Sequence, residues 1–286
     1  SGTAQLADAT GNSITGDVTV ERFIPVGPPN TTRAFRFLTS AVNSNGSIFD
    51  NWQEGGNSPA GYGTHITGST AGSNGFDTSI TGNPSMYTFD NTFTGADQSN
   101  AWNAIPNTDN TNLVAGEGYR IFIRGDRNYN LDSNPADAPN SNVTLRATGS
   151  LAIGDQTETL SNLGGYYSMI GNPYQANVNI KNVTGSNFNP NAYYVWDPNM
   201  SQRGAYVTVP LPTGTPTGTS DADEFVQPWQ SFFVRTSNNG AANLTFTEAA
   251  KDVAALPTDV FSNNNQTSIN LLLYTDQALN NNDSEA

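Results

Sequence analysis

Apolar residues in this chain come in runs of about five, and Gly, Asn, Pro or Thr interrupts almost every run. The pattern is clearest between Gly165 and Glu248. There the chain reads Gly165-Tyr-Tyr-Ser-Met-Ile-Gly-Asn-Pro-Tyr174, Tyr193-Tyr-Val-Trp-Asp-Pro198, Gln227-Pro-Trp-Gln-Ser-Phe-Phe-Val-Arg235 and Leu244-Thr-Phe-Thr-Glu248. Runs this short carry no helical period, and aromatic and β-branched residues suit a pleated surface. Turn signals fall roughly every 8–12 residues, which leaves almost no room for helix. The expected fold is all-β: two antiparallel, jelly-roll-like β-sandwich units in series.

The length allows this, since 286 residues hold about two domains of ordinary size. Hydrophobic residues are only 35 % of the chain, but 14 Phe, 11 Tyr and 4 Trp supply large buried areas. Net charge is −14, and Lys181 and Lys251 are the only lysines. That balance excludes a basic patch for nucleic acid or an anionic membrane. It fits solubility outside the cell, or divalent cations. There is no cysteine, hence no disulfide framework. No stretch approaches the ~18 apolar residues of a membrane-spanning helix. The start at Ser1 and the acidic Asn-rich end read as a processed chain or a segment of a longer one.

In chain order, residues 1–16 read as a loop or the end of a preceding repeat. Residues 17–154 form the first sandwich, with a long Gly-rich insertion anchored by Ile48, Trp52, Tyr62, Ile66, Phe76 and Ile80. Tyr119, Ile121 and Ile123 alternate with Arg120, Phe122 and Arg124 in its strongest strand. Residues 155–257 form the second sandwich, and 258–286 a linker with the first strand of a further β domain (Ser268 to Tyr274). The halves appear in the same order. Tyr194-Val-Trp-Asp197 answers Tyr87-Thr-Phe-Asp90, Gln230 to Arg235 answers Arg120 to Arg124, and Asn243 to Phe246 answers Asn142 to Leu145. One helix of two or three turns is expected from Thr247 to Leu256, ended by Pro257.

Several words of the chain occur together in a known setting. In order they are Val18-Thr-Val-Glu-Arg-Phe-Ile-Pro25, Arg33-Ala-Phe-Arg-Phe-Leu38, Trp52-Gln-Glu-Gly55, Gly61-Tyr-Gly-Thr-His-Ile-Thr-Gly68, Gly118-Tyr-Arg-Ile-Phe-Ile-Arg-Gly-Asp-Arg127 and Thr144-Leu-Arg-Ala-Thr-Gly149. Ile170-Gly-Asn-Pro-Tyr174, Tyr194-Val-Trp-Asp-Pro198 and Phe232-Phe-Val-Arg235 follow. Over roughly residues 17–256 the chain resembles the region upstream of the C-terminal sorting domain in type IX-secreted surface proteins of Bacteroidota. The resemblance implies export to the cell surface within a long, multi-repeat, adhesin-like parent. It implies no catalytic residues.

Four constellations bear on chemistry. Asp126, Asn128, Asn130, Asp132 and Asp137 have the spacing of an EF-hand calcium loop, with Leu131 where that loop wants Gly. A calcium site and an ordinary turn both fit. Arg124-Gly-Asp126 spells an integrin tripeptide, but its place at a strand end favours a structural role. His65 is the only histidine, and Ser69 or Ser73 would be its nearest nucleophiles in sequence. Of the tryptophans, Trp196 and Trp229 read as core, while Trp52 and Trp102 sit in loop-rich sequence and are the candidates for stacking on sugars.

The expectation is therefore a non-enzymatic structural or adhesive module of an extracellular surface protein, a stalk, spacer or fibre segment. Its partners would be other surface proteins, host or environmental surfaces or glycans, with head-to-tail self-assembly open to it. The alternative is a carbohydrate-binding module serving an enzyme elsewhere in the parent chain. A hydrolase, the third class, would need converging carboxylates or a site centred on His65.

Overall fold

The computed structural model describes residues 4–25, 34–132, 141–201, 204–255, 258 and 260. The short apolar runs are strands. The first half gives β1 (Val18–Ile24), β2 (Ala34–Leu38), β3 (Val42–Ser44), β4 (Thr67–Ser69), β5 (Asp77–Thr78), β6 (Met86–Phe89), β7 (Trp102–Ala104), β8 (Tyr119–Ile123) and β9 (Val143–Leu151). The second gives β10 (Gln156–Thr159), β11 (Tyr167–Gly171), β12 (Val178–Asn179), β13 (Thr184–Ser186), β14 (Ala192–Asp197), β15 (Ala205–Pro210), β16 (Phe225–Val226), β17 (Ser231–Arg235) and β18 (Asn243–Phe246).

No sheet mixes named strands from the two halves, and the halves share one topology. The orders are β1-β9-β3 with β2-β8-β6-β7, then β10-β18-β13 with β11-β17-β14-β15. In each unit the first strand pairs with the last and the second with the next to last, so the chain wraps between two sheets as a jelly roll does. The sequence correspondences fall on equivalent strands: β6 with β14, β8 with β17, β9 with β18. Pairs β4–β5 and β12–β16 are small additions, and only β4–β5 is parallel.

Alternation sets the core. Tyr119, Ile121 and Ile123 of β8 point into the first sandwich and are buried. Leu244 and Phe246 of β18 and Val195 of β14 do the same in the second. The opposite faces of both four-stranded sheets are also rich in rings. On the first, register places Phe35 opposite Phe122, Phe37 opposite Arg120 and Phe89 opposite Trp102. On the second, Tyr194 is opposite Phe233, and Trp196 is opposite Tyr206. These faces meet at a seam, where Phe37, Phe89, Ala101, Met169 and Phe233 form a second buried cluster. That is why β17 reads Phe-Phe and β14 reads Tyr-Tyr-Val-Trp: both sides of each strand are covered.

The seam is also hydrogen-bonded. β11 is an edge strand, paired only with β17. Its outward groups meet side-chain amides from the first unit instead of a neighbouring strand. Gln98 accepts from Tyr167 N at 3.1 Å and donates to Tyr167 O at 3.2 Å. Asn91 does the same at Met169, at 2.8 and 3.0 Å. Gly171 N then donates to Gly116 O at 2.6 Å. Covering an edge in this way prevents its pairing with another chain. Gly171 has no side chain for a reason, since a Cβ there would collide with Thr39. Replacing Asn91 by Ala strands a buried N–H and C=O of Met169, with an expected cost of about 1–3 kcal/mol in urea unfolding.

Two expectations need correction. The helix from Thr247 to Leu256 is a single 3₁₀ turn, Glu248–Ala250, after which Lys251 is extended. Tertiary contacts override helix propensity here. Glu248 accepts from Ala9 N and Gly154 N, both at 2.8 Å, and pairs with Lys251 at 2.6 Å. Lys251 also bridges to Val178, which holds it extended. The second correction concerns Trp52, a candidate sugar platform. It is fully buried, stacked on Trp229 across the seam with centroids 6.0 Å apart. Trp196 is only half-buried, with its Nε1 donating to Phe35 O at 3.1 Å.

Residues 4–9 lie along the second unit. Leu6 N donates to Gln175 O at 2.7 Å, and Gln175 returns a bond to Ala4 O. The strand expected from Ser268 to Tyr274 lies outside the described residues.

Candidate functional site

A half-buried carboxylate helps hold the Gly-rich insertion to the first sandwich. Asp77 receives a two-pronged pair from Arg127, at 2.8 Å on each oxygen. Gln53 Nε2 and Ile66 N also donate to Oδ2, at 2.9 and 3.0 Å. Burial pushes the Asp77 carboxyl upward, but His65 and Arg127 outweigh it and hold the group well below the usual carboxylate range. His65 belongs to this knot. Its Nδ1 lies 3.4 Å from Asp77 and its Nε2 lies 2.8 Å from Tyr129 O. Ser69 Oγ instead accepts from Ala71 N and Ser73 N, so it closes a turn.

The loop from Asp126 is turned the same way. Asp126 is buried, and it accepts from Gly61 N at 2.6 Å and Asn128 N at 3.1 Å. Asn130 Oδ1 caps Asp132 N at 2.9 Å. Asp137 lies outside the described residues. Among the described residues no three His, Cys, Asp or Glu side chains converge. The Arg124-Gly-Asp126 tripeptide is fixed through Asp126 in this network. In the second unit, Asn172 of the Gly-Asn-Pro-Tyr word donates to the carbonyls of Ala176, Val226 and Gln227 while its Oδ1 accepts from Tyr174 N. The words of the resemblance thus hold buried turns together.

Trp102 is placed quite differently from Trp52. It lines an open cleft of about 380 Å³ in the seam, with Phe89, Gln98 and Ser99 from the first unit and Tyr167, Tyr194, Tyr206 and Phe233 from the second. The rings meet nearly edge to face. Phe89–Trp102 lie 5.1 Å apart at 78°, Tyr167–Tyr194 5.1 Å at 81° and Trp196–Tyr206 5.0 Å at 82°. Tyr206 is 56 % exposed, unusually open for a large ring. Beside Trp102 stands Arg120. Its guanidinium lies 4.0 Å from the Phe35 ring centre, 5.2 Å from Trp102 and 5.5 Å from Tyr87. Burial lowers its pKa, opposed by Tyr206 and Tyr87. Arg120, Gln98 and Tyr206 were not among the site residues expected from sequence. The available signal was the apolar character of both faces of β14 and β17, which requires a second covered surface.

Elsewhere on the second unit, β10 carries Glu158, whose carboxyl is pushed up to about 7 by burial and by the charge of Glu117. A raised carboxyl binds its proton more tightly in the folded chain than in the unfolded one. Its contribution therefore weakens folding as pH rises from about 4.5 to about 7, and the full penalty is present above that. Glu158→Gln is expected to raise stability at pH 8 by about 1–2 kcal/mol and to leave it unchanged near pH 4. Thermal unfolding across that range checks both.

Comparison of the chain with protein-family models, curated proteins and solved structures finds no match.

Proposed function

We propose that the chain is a non-enzymatic structural and adhesive segment of a large extracellular bacterial surface protein, of the type IX-secreted kind that its sequence resembles. Its two jelly-roll units would act as one stiff spacer. The seam supports this reading: the Trp52–Trp229 stack, the amides of Asn91 and Gln98 on β11, and the arginine of one unit bonded to the other. Arg22 Nη2 donates to Gln227 Oε1 at 3.0 Å. Loosely tethered domains need none of this, because they normally meet through small polar contacts. The net charge of −14 suits a chain exposed outside the cell.

The absence of cysteine makes the stiffness simple to measure. Ile80 and Val253 are exposed, one in each unit. Spin labels on cysteines at both positions should give one narrow distance distribution by pulsed electron resonance. A broad distribution would remove the basis for a spacer.

A further inference from the structure

The cleft has features that a spacer does not need. Rings from two units form flat walls at steep angles, and Tyr206 is left open to solvent. Beside Trp102 stands the charged Arg120. Among the described residues its guanidinium has no hydrogen-bond or ion-pair partner, only the faces of Phe35, Tyr87 and Trp102. Among the described residues no carboxylate forms an ion pair with this cation. A half-buried guanidinium with free donors is a receptor for a carboxylate, which it binds through paired N–H groups.

We infer that the cleft binds a saccharide bearing a carboxylate, such as a uronic or sialic acid unit, with its sugar faces on Trp102 and Tyr206 and its carboxylate on Arg120. Aromatic walls with a few fixed polar groups are the usual make-up of a small-ligand site, and about 380 Å³ falls within the usual volume range. An extended peptide is the weaker candidate. Such peptides bind by adding a strand to a free sheet edge, and β11, the edge that runs into the cleft, is already satisfied by Asn91 and Gln98. This inference is independent of the spacer reading, because a stiff tandem could lack the site and a flexible one could have it.

The test is calorimetric titration of the intact chain with pairs of sugars that differ in the acidic group: cellotriose against its uronic acid counterpart, and lactose against sialyllactose. At least one acidic sugar should bind about tenfold or more tightly than its neutral partner. Arg120→Met should remove that preference, so that the acidic sugar binds no more tightly than its neutral partner. Tyr206→Ala, at an exposed position and so of low folding risk, should weaken both members of the pair. Trp102→Phe should retain part of the binding. Equal affinity within each pair, or retention of the preference in Arg120→Met, would overturn the assignment to Arg120. Absence of binding to all four sugars, or displacement of a bound sugar only by acidic peptides, would overturn the saccharide.

Discussion

Replacing Arg127 by Ala is expected to cost about 2–4 kcal/mol, because it leaves the half-buried Asp77 carboxylate without its cation. Arg127 is itself buried, at 6 % exposure, and also donates to Asn57 O at 2.6 Å and Thr64 O at 3.3 Å. Its loss frees the chain that precedes β5, at Asn57 and Thr64, as well as removing a charge. Lysine is not expected to rescue it, since one ammonium cannot reproduce the two-pronged geometry. Denaturant midpoints of Arg127→Ala and Arg127→Lys are the measurement, with Asp77→Asn as the partner variant. The pair also sets an acid limit. Because the folded Asp77 is held below its ordinary value, its contribution is present above about pH 4 and is lost as pH falls further. That window lies below the one governed by Glu158, so stability should rise and then fall on acidification from pH 8.

The second large effect is expected at the tryptophan stack. Trp52→Ala empties a fully buried site between the units, with an expected cost of about 3–5 kcal/mol. Trp52→Phe should cost much less. It keeps most of the packing and removes an indole N–H that finds no acceptor among the described residues. Trp229 is not equivalent, since its Nε1 donates to Gln175 at 2.9 Å and its backbone sits at φ 68°. That left-handed conformation is strained for a bulky residue and persists only because its surroundings fix it. A double-mutant cycle between Trp52 and Trp229 should show coupling, as expected for residues in contact.

The strands were legible because alternation and turn residues are local signals, and the strand order of the two units bears out the correspondences read between them. The seam was not legible. Asn91 lies 78 residues from Met169, and nothing nearby distinguishes an amide that caps an edge strand from one that faces water. Trp52 was misread because glycines around it suggest an exposed loop, whereas they let the chain bend inward over the sandwich. Gly63, at φ 63°, is one such bend, and a side chain there would strike Glu54. The helix failed for a similar reason. Glu248 and Lys251 lie three residues apart, a spacing a helix would allow, but they form a buried pair that holds an irregular turn.

Whether the two units behave as one body is tested most directly by amide hydrogen exchange in Trp52→Ala. Trp52 belongs to the first unit, while β18 lies in the second. For one body, protection of Leu244 and Phe246 in β18 is expected to fall by the same free energy as that of Leu145 and Ala147 in β9. Unchanged protection in β18 beside weakened β9 would show two independent sandwiches and contradict it.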